Sequence, residues 1–296
     1  MIYEIKNDYL TVAISSIGAE LMSIKTNKDS HEYLWQGDKA YWGGRAYNLF
    51  PICGRITQGI YTYKGTTYEG LKSPHGFLRN TELKANVVTD DHIIFVLKSK
   101  NHEDILKCYP FDFIYRISYK LEFNTIKMRI KVSNSDDKEM IFSIVGHPGF
   151  NTPMDNEAFE DDYIEFSDPS NVKQVYMTDA VFTTNKRSNY PFVDGNKIPL
   201  KHDLFDRDAI VLENPGNEVV LKSKKSKREV CVAFPKEMKY LGIWHTVKKE
   251  APFVAIEPWG SLPTYDGIID DLEKKPDMVK LPAGKTYELE WSISIK

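Results

Sequence analysis

No run of about 18 apolar residues occurs in the chain, so the sequence offers no candidate for a membrane-spanning helix. The N-terminal Met1-Ile2-Tyr3-Glu4-Ile5-Lys6 lacks the apolar core of a signal peptide. Cysteine is scarce: Cys53, Cys108 and Cys231 are three, an odd and widely spaced set that argues against a disulfide framework and a Cys-rich metal site. A reducing, cytoplasmic setting is the default expectation. Positive charge is not in excess either, and a net charge of -3 leaves no basic field to recruit nucleic acid or anionic lipid. Neither nucleic acid nor a membrane is expected as a partner. The one basic cluster, Lys222 to Arg228, reads as a solvated turn between the strands Glu218–Leu221 and Glu229–Phe234. There is no Gly-x-Ser-x-Gly, no phosphate-cradling Gly-rich loop before a helix and no His-x-x-x-His pair. No Pro/Gly/Ser linker, low-complexity tract or repeat marks a seam, so one domain over residues 1–296 is expected.

A chain that is 42% hydrophobic and 27% charged can bury a sizeable core. Its pattern has period two. Ile126, Met128, Ile130 and Val132 interleave with Lys127, Arg129, Lys131 and Ser133, and Tyr287, Leu289, Trp291, Ile293 and Ile295 interleave with polar residues in the same way. Further strands are predicted at Tyr9–Ser15, Ala19–Thr26, His92–Lys98, Phe113–Phe123, Met140–Gly146 and Tyr240–His245. Helical periodicity is nearly absent. The fold class is therefore all-β, a large antiparallel β-sandwich of two curved sheets. Three long aromatic-rich stretches, Trp35 to Asn80, Phe150 to Asp208 and Trp259 to Pro282, read as irregular loops that gather at a site.

Two ionisable residues stand at apparent strand ends. Glu257 follows the apolar run Phe253–Ile256 and precedes Pro258, which withholds an N–H and is expected to stop the ladder. Burial there would raise its pKa and make it a better proton acceptor near neutral pH. Trp259 would share its strand face and offer an apolar plate for a sugar ring. His147 ends Ile141–Gly146 and precedes Pro148, the same setting. Read singly, Glu257 as a structural ion-pair partner and His147 as a core histidine satisfied by a carbonyl remain open alternatives; read together, the two resemble an acid and base pair. His75 lies between Pro74 and Gly76, and Arg55 sits in an apolar run that implies a buried partner or a polar ligand. His102 and His202 read as solvated, His31 and His92 carry no signal, and packing is the expectation for His245.

The segments Tyr41-Trp42-Gly43-Gly44-Arg45, Leu49-Phe50-Pro51-Ile52-Cys53-Gly54-Arg55-Ile56, His75-Gly76-Phe77, Gly146-His147-Pro148-Gly149-Phe150 and Ile256-Glu257-Pro258-Trp259 together resemble the aldose 1-epimerases (mutarotases), in their LacX-like branch. The resemblance implies a β-supersandwich with an open sugar-binding cleft, no metal and no organic cofactor. It also implies an aldohexose, phosphorylated or not, as the small-molecule partner, with the protein acting as a monomer or homodimer. It maps the base to Glu257, the acid to His147, sugar contacts to His75 and Arg55, and a sugar-binding aspartate to Asp206 within Leu204–Asp208. Gly54 and Phe77 depart from the better-known galactose mutarotases, which carry Asn and Gly there. The chemistry suits the residues: opening a pyranose hemiacetal needs one group to accept the C1 hydroxyl proton and another to protonate the ring oxygen. The alternatives are a hexose-6-phosphate 1-epimerase using Arg45 and Arg79, a glycosidase, which needs two carboxylates, and a non-catalytic sugar-binding protein on the same fold.

Overall fold

Strict alternation along Thr125–Asn134 buries Ile126, Met128, Ile130 and Val132 and leaves the lysines and Arg129 on the wet side. The computed structural model, which describes residues 1–296, places this strand inside a nine-stranded sheet between Thr286–Ile295 and Phe113–Glu122. A second, seven-stranded sheet runs Thr183–Asn189, Lys173–Met177, Ile210–Glu213, Tyr240–Trp244, Phe253–Trp259, Val145–Asn151, Ala46–Leu49. All neighbours within these two sheets are antiparallel. The only helix longer than a 3-10 turn is Glu103–Cys108, as the missing helical periodicity implies. The predicted strands at Tyr9 and Ala19 form as Leu10–Ser15 and Leu21–Thr26 in a small three-stranded sheet. One continuous core, from Ile5 to Ile295, takes in the inward faces of both large sheets.

The three stretches read as irregular are only partly so. Phe150 to Asp208 supplies the strands Asp162–Phe166, Lys173–Met177, Thr183–Asn189 and Lys197–Pro199. The last three have a weak period-two signal because they lie at or near sheet edges with few fully buried positions, whereas Asp162–Phe166 alternates but spends one of its buried positions on Asp162. The turn after Ser223 forms as expected, but Arg228 is not merely solvated. Its guanidinium bonds Asp29 and Asp155, each at 2.8 Å, and Tyr33 at 3.2 Å.

The strand carrying the histidine, Val145–Asn151, runs between two tryptophans because it has glycine where they approach. A Cβ on Gly146 would meet Trp291 of the core at 2.6 Å, and one on Gly149 would meet Trp42 at 2.9 Å. Gly146 and Gly149 sit on opposite faces of the strand. Gly146→Ala is expected to lower the unfolding free energy by about 1–3 kcal/mol through overpacking against Trp291, measured as a lower urea midpoint at unchanged m-value.

Candidate active site

Two prolines shape the site. Gly260 N–H donates to Ile144 O at 2.9 Å and Thr152 N–H to Pro252 O at 3.1 Å, one bond at each end of the paired strands Val145–Asn151 and Phe253–Trp259. Between them, antiparallel alternation turns the backbone groups of the even-numbered residues of both strands toward each other. Pro148 and Pro258 fall on those positions and have no N–H to give. The ladder loses two donors, yet neither strand ends: Pro258 and Trp259 still pair with Leu241 and Tyr240 on the other side. Pro258 therefore thins the ladder without stopping it, because the neighbouring strand does not need its N–H.

The register sets Val145 opposite Trp259 and Gly149 opposite Ala255, which brings His147 opposite Glu257 at a non-hydrogen-bonded position. Side chains approach most closely at such positions. His147 Nε2 lies 3.2 Å from Glu257 Oε1. Glu257 is 2% exposed, and burial pushes its carboxyl up to about 8, with the Asp208 carboxylate adding to the rise and the Trp259 hydrogen bond opposing it. Burial likewise pushes His147 down to about 3, helped by the Arg79 cation. Both shifts favour the neutral forms. In the free protein the contact is a carboxyl–imidazole hydrogen bond sharing one proton rather than an ion pair, and that proton belongs to the pair.

The structure brings only some of the other candidate residues into the cleft. His75 lines the same cleft, with its ring centroid 5.9 Å from that of His147. Gly54 N–H donates to His75 Nδ1 at 3.0 Å and His75 N–H returns a bond to Gly54 O at 2.6 Å. Burial and the neighbouring His147, Arg79 and Arg55 hold the ring neutral, so its proton sits on Nε2 and His75 is a donor. Gly54 has φ +58°, and a Cβ there would meet Pro263 at 2.3 Å, so no side chain fits at this departure from the galactose mutarotases. Phe77, the other departure, packs on Phe50, Tyr109 and Phe113. Arg55 lines the cleft but is exposed and has no buried partner. Its carbonyl accepts from Thr264 N–H at 3.0 Å, and Thr264 is tied through Asp270 to the buried Lys275.

Asp206 does not line the cleft. It is exposed and follows the 3-10 turn His202–Phe205 in helical conformation. Two residues on, Asp208 takes φ +81° and turns into the cleft beside Glu257. Trp259 lines the cleft but is 3% exposed, packs among Leu49, Val145 and Leu262, and spends its Nε1–H on Glu257 Oε2 at 3.1 Å. It holds the carboxylate and presents no free plate. The half-exposed rings are Trp42, 5.0 Å from His147 between centroids, and Trp244, 5.9 Å away. Arg45 points elsewhere, bonding Met22 O at 2.5 Å and Gln36 at 3.1 Å, whereas Arg79 lines the cleft over the Tyr47 ring. His202 is not solvated: it stacks on Phe159 and bonds the buried His245 at 3.1 Å, away from the cleft. His245 packs as expected. No group of three or more His, Cys, Asp or Glu side chains is placed to hold a metal ion.

With this geometry in hand, comparisons place the chain among known proteins. The family model for aldose 1-epimerase matches residues 1–290. The plasmid-borne protein LacX of Lactococcus lactis subsp. lactis is 34% identical over 100% of this chain and 99% of its own length. Among solved structures, a galactose mutarotase related enzyme from Lactobacillus acidophilus superposes with a TM-score of 0.92 at 37% identity, covering 100% of this chain and 97% of that one. A galactose mutarotase-like protein from Lactobacillus casei gives 0.93 at 29% identity over the whole of both chains.

Replacing Trp259 by Phe removes the one donor to Glu257 Oε2. The Glu257 carboxyl is expected to titrate about 1–2 units higher, the equivalent of one hydrogen bond to a charged group. Carboxyl-carbon NMR across the pH range measures it, and an unchanged titration would show that Trp259 does not hold the charge.

Proposed function

We propose, from the premise that the chain belongs to the aldose 1-epimerase family, that it is an isomerase interconverting the α and β anomers of an aldohexose by opening and closing the ring. The observation that carries this reading is the direct juxtaposition of His147 and Glu257, 3.2 Å apart, facing an open cleft.

The reaction consumes no net proton, and the pair holds one. When a sugar enters, its hydroxyls replace lost hydration around the carboxylate, and the shared proton moves to His147. Glu257 then accepts the C1 hydroxyl proton while His147 delivers its own to the ring oxygen; the C1–O5 bond breaks and the C1 carbonyl forms. After rotation about C1–C2 the steps reverse on the other face. His75, a fixed Nε2–H donor, hydrogen-bonds a sugar oxygen. Asp208, in place of Asp206, and Arg55 take further hydroxyls, and Trp42 and Trp244 supply the apolar plate. Trp259 keeps Glu257 in position.

One observation favours a 6-phosphorylated hexose as a second reading. Arg79 is half-buried and Arg55 exposed in the same cleft, and neither side chain has a carboxylate partner. Polarimetric decay of freshly dissolved α-glucose, α-galactose and their 6-phosphates tests both readings; no acceleration with any of the four would overturn the mutarotase assignment.

Glu257→Gln is expected to lower kcat by about 100-fold or more with sugar still bound, because the amide keeps the shape but cannot accept a proton. The pH profile has a definite sign. Above a pH of about 8 the pair loses its shared proton and has none for the ring oxygen, so kcat/KM should fall on the alkaline side.

The two histidines separate by kinetics. His147→Asn is expected to lower kcat with KM nearly unchanged, since its proton matters in the transition state. His75→Asn should raise KM as well. The reverse pattern would exchange the two roles.

A further inference from the structure

The outer face of the nine-stranded sheet holds a cavity of about 490 Å³, larger than the cleft of about 200 Å³ on the seven-stranded sheet. Five cations line it, Arg116, Lys120, Lys127, Arg129 and Lys131, against two carboxylates, in a chain whose net charge is -3. They come from the adjacent strands Phe113–Glu122 and Thr125–Asn134.

The register makes this arrangement costly. Arg116 stands directly opposite Lys131, and Lys120 directly opposite Lys127, with Ser118 opposite Arg129 between them. Like charges at opposed positions on one face of an antiparallel pair destabilise it. Four of the cations are partly relieved by carboxylates at the rim: Lys120 by Asp91 at 2.7 Å, Lys127 by Glu122 at 2.6 Å, Arg129 by Glu290 at 2.9 Å and Lys131 by Glu288 at 2.6 Å. These pairs are solvent-exposed, so they contribute little and exchange readily. Arg116 has neither an ion-pair partner nor a side-chain hydrogen bond among them, and Ser118 beside it keeps its hydroxyl free. His92 and Ile94 close the floor on the next strand.

We propose that this face is a binding site for a small, multiply charged anion of the phosphate class, with Arg116, the one cation without a carboxylate partner, as its principal contact. A planar guanidinium with five donors suits a phosphate group, Ser118 adds a hydroxyl, and Lys131, directly opposite Arg116, is relieved of its repulsion with that guanidinium when an anion sits between the two. The carboxylate rim bounds the site: Glu288 and Glu290 lie on one flank, Asp91 on the other and Glu122 at one end. A long polyanion would have to cross those carboxylates, whereas a compact ligand would not. The site is separate from the sugar cleft and independent of the activity proposed for it.

Pyrophosphate is the probe. Calorimetric titration of the full chain is expected to show saturable one-site binding, with a rise in Tm as ligand is added. Arg116→Gln should weaken binding by about 10-fold or more, the equivalent of one charge-assisted contact. Arg79→Gln, in the sugar cleft, should leave it unchanged, and polarimetric activity of Arg116→Gln without anion should equal that of the unaltered protein. Absence of saturable binding, equal binding by Arg116→Gln, or loss of binding in Arg79→Gln would each overturn the proposal, the last by placing the anion in the cleft.

Discussion

One antiparallel ladder lacks two of its N–H groups, and the site depends on what occupies the gap. Pro148 and Pro258 each follow an ionisable residue, and each falls on the edge of its strand that faces the other. The strands stay in register because bonds on both sides of the gap hold them and because each also pairs with its outer neighbour, Ala46–Leu49 or Tyr240–Trp244. The result is a rigid frame in which His147 and Glu257 are cross-strand neighbours. Groups on neighbouring strands of a sheet are held more precisely than groups on loops.

Burial then decides the chemical state of the pair. Taking an isolated carboxylate and imidazolium out of water costs several kcal/mol each, more than their mutual attraction returns unless further hydrogen bonds help. Only Trp259 Nε1–H helps Glu257, and His147 Nδ1 has no partner. The neutral, singly protonated pair is therefore the resting form, and it is also the form that a proton-neutral isomerisation needs. A bound sugar supplies the hydrogen bonds that the charged form lacks, which couples substrate binding to proton movement.

The two large sheets divide the labour by what their outer faces carry. The seven-stranded sheet buries its glutamate strand completely, with Val254 and Ile256 in the core and Trp42 and Trp244 packed against Phe253 on the other face. The nine-stranded sheet keeps its outer face wet, with charged and polar residues at alternate positions along its central strands. Its cationic cavity arises because two strands of ordinary alternation are paired in the register that sets Arg116 against Lys131 and Lys120 against Lys127.

The sequence by itself determined the fold class, because period-two alternation over ten residues has no other stable realisation than a strand with one wet face. It also singled out Glu257 and His147, because a carboxylate or imidazole set in an apolar run before a proline is locally unusual. What it did not carry was anything that depends on residues distant in the chain. Whether Asp206 or Asp208 enters the cleft turned on a single positive φ after a 3-10 turn. Trp259 looked like a plate because alternation placed it beside Glu257, and only packing against Leu49, Val145 and Leu262 shows that its free edge is already used. Arg228 and His202 looked solvated because their partners, Asp29, Asp155 and His245, are remote in sequence. The cationic face was invisible for the same reason: each strand alone reads as a normal amphipathic strand, and the charge concentrates only where register brings two of them side by side. Local pattern is encoded in neighbouring residues; the placement of one side chain against another is decided by the tertiary structure, which chooses the partners.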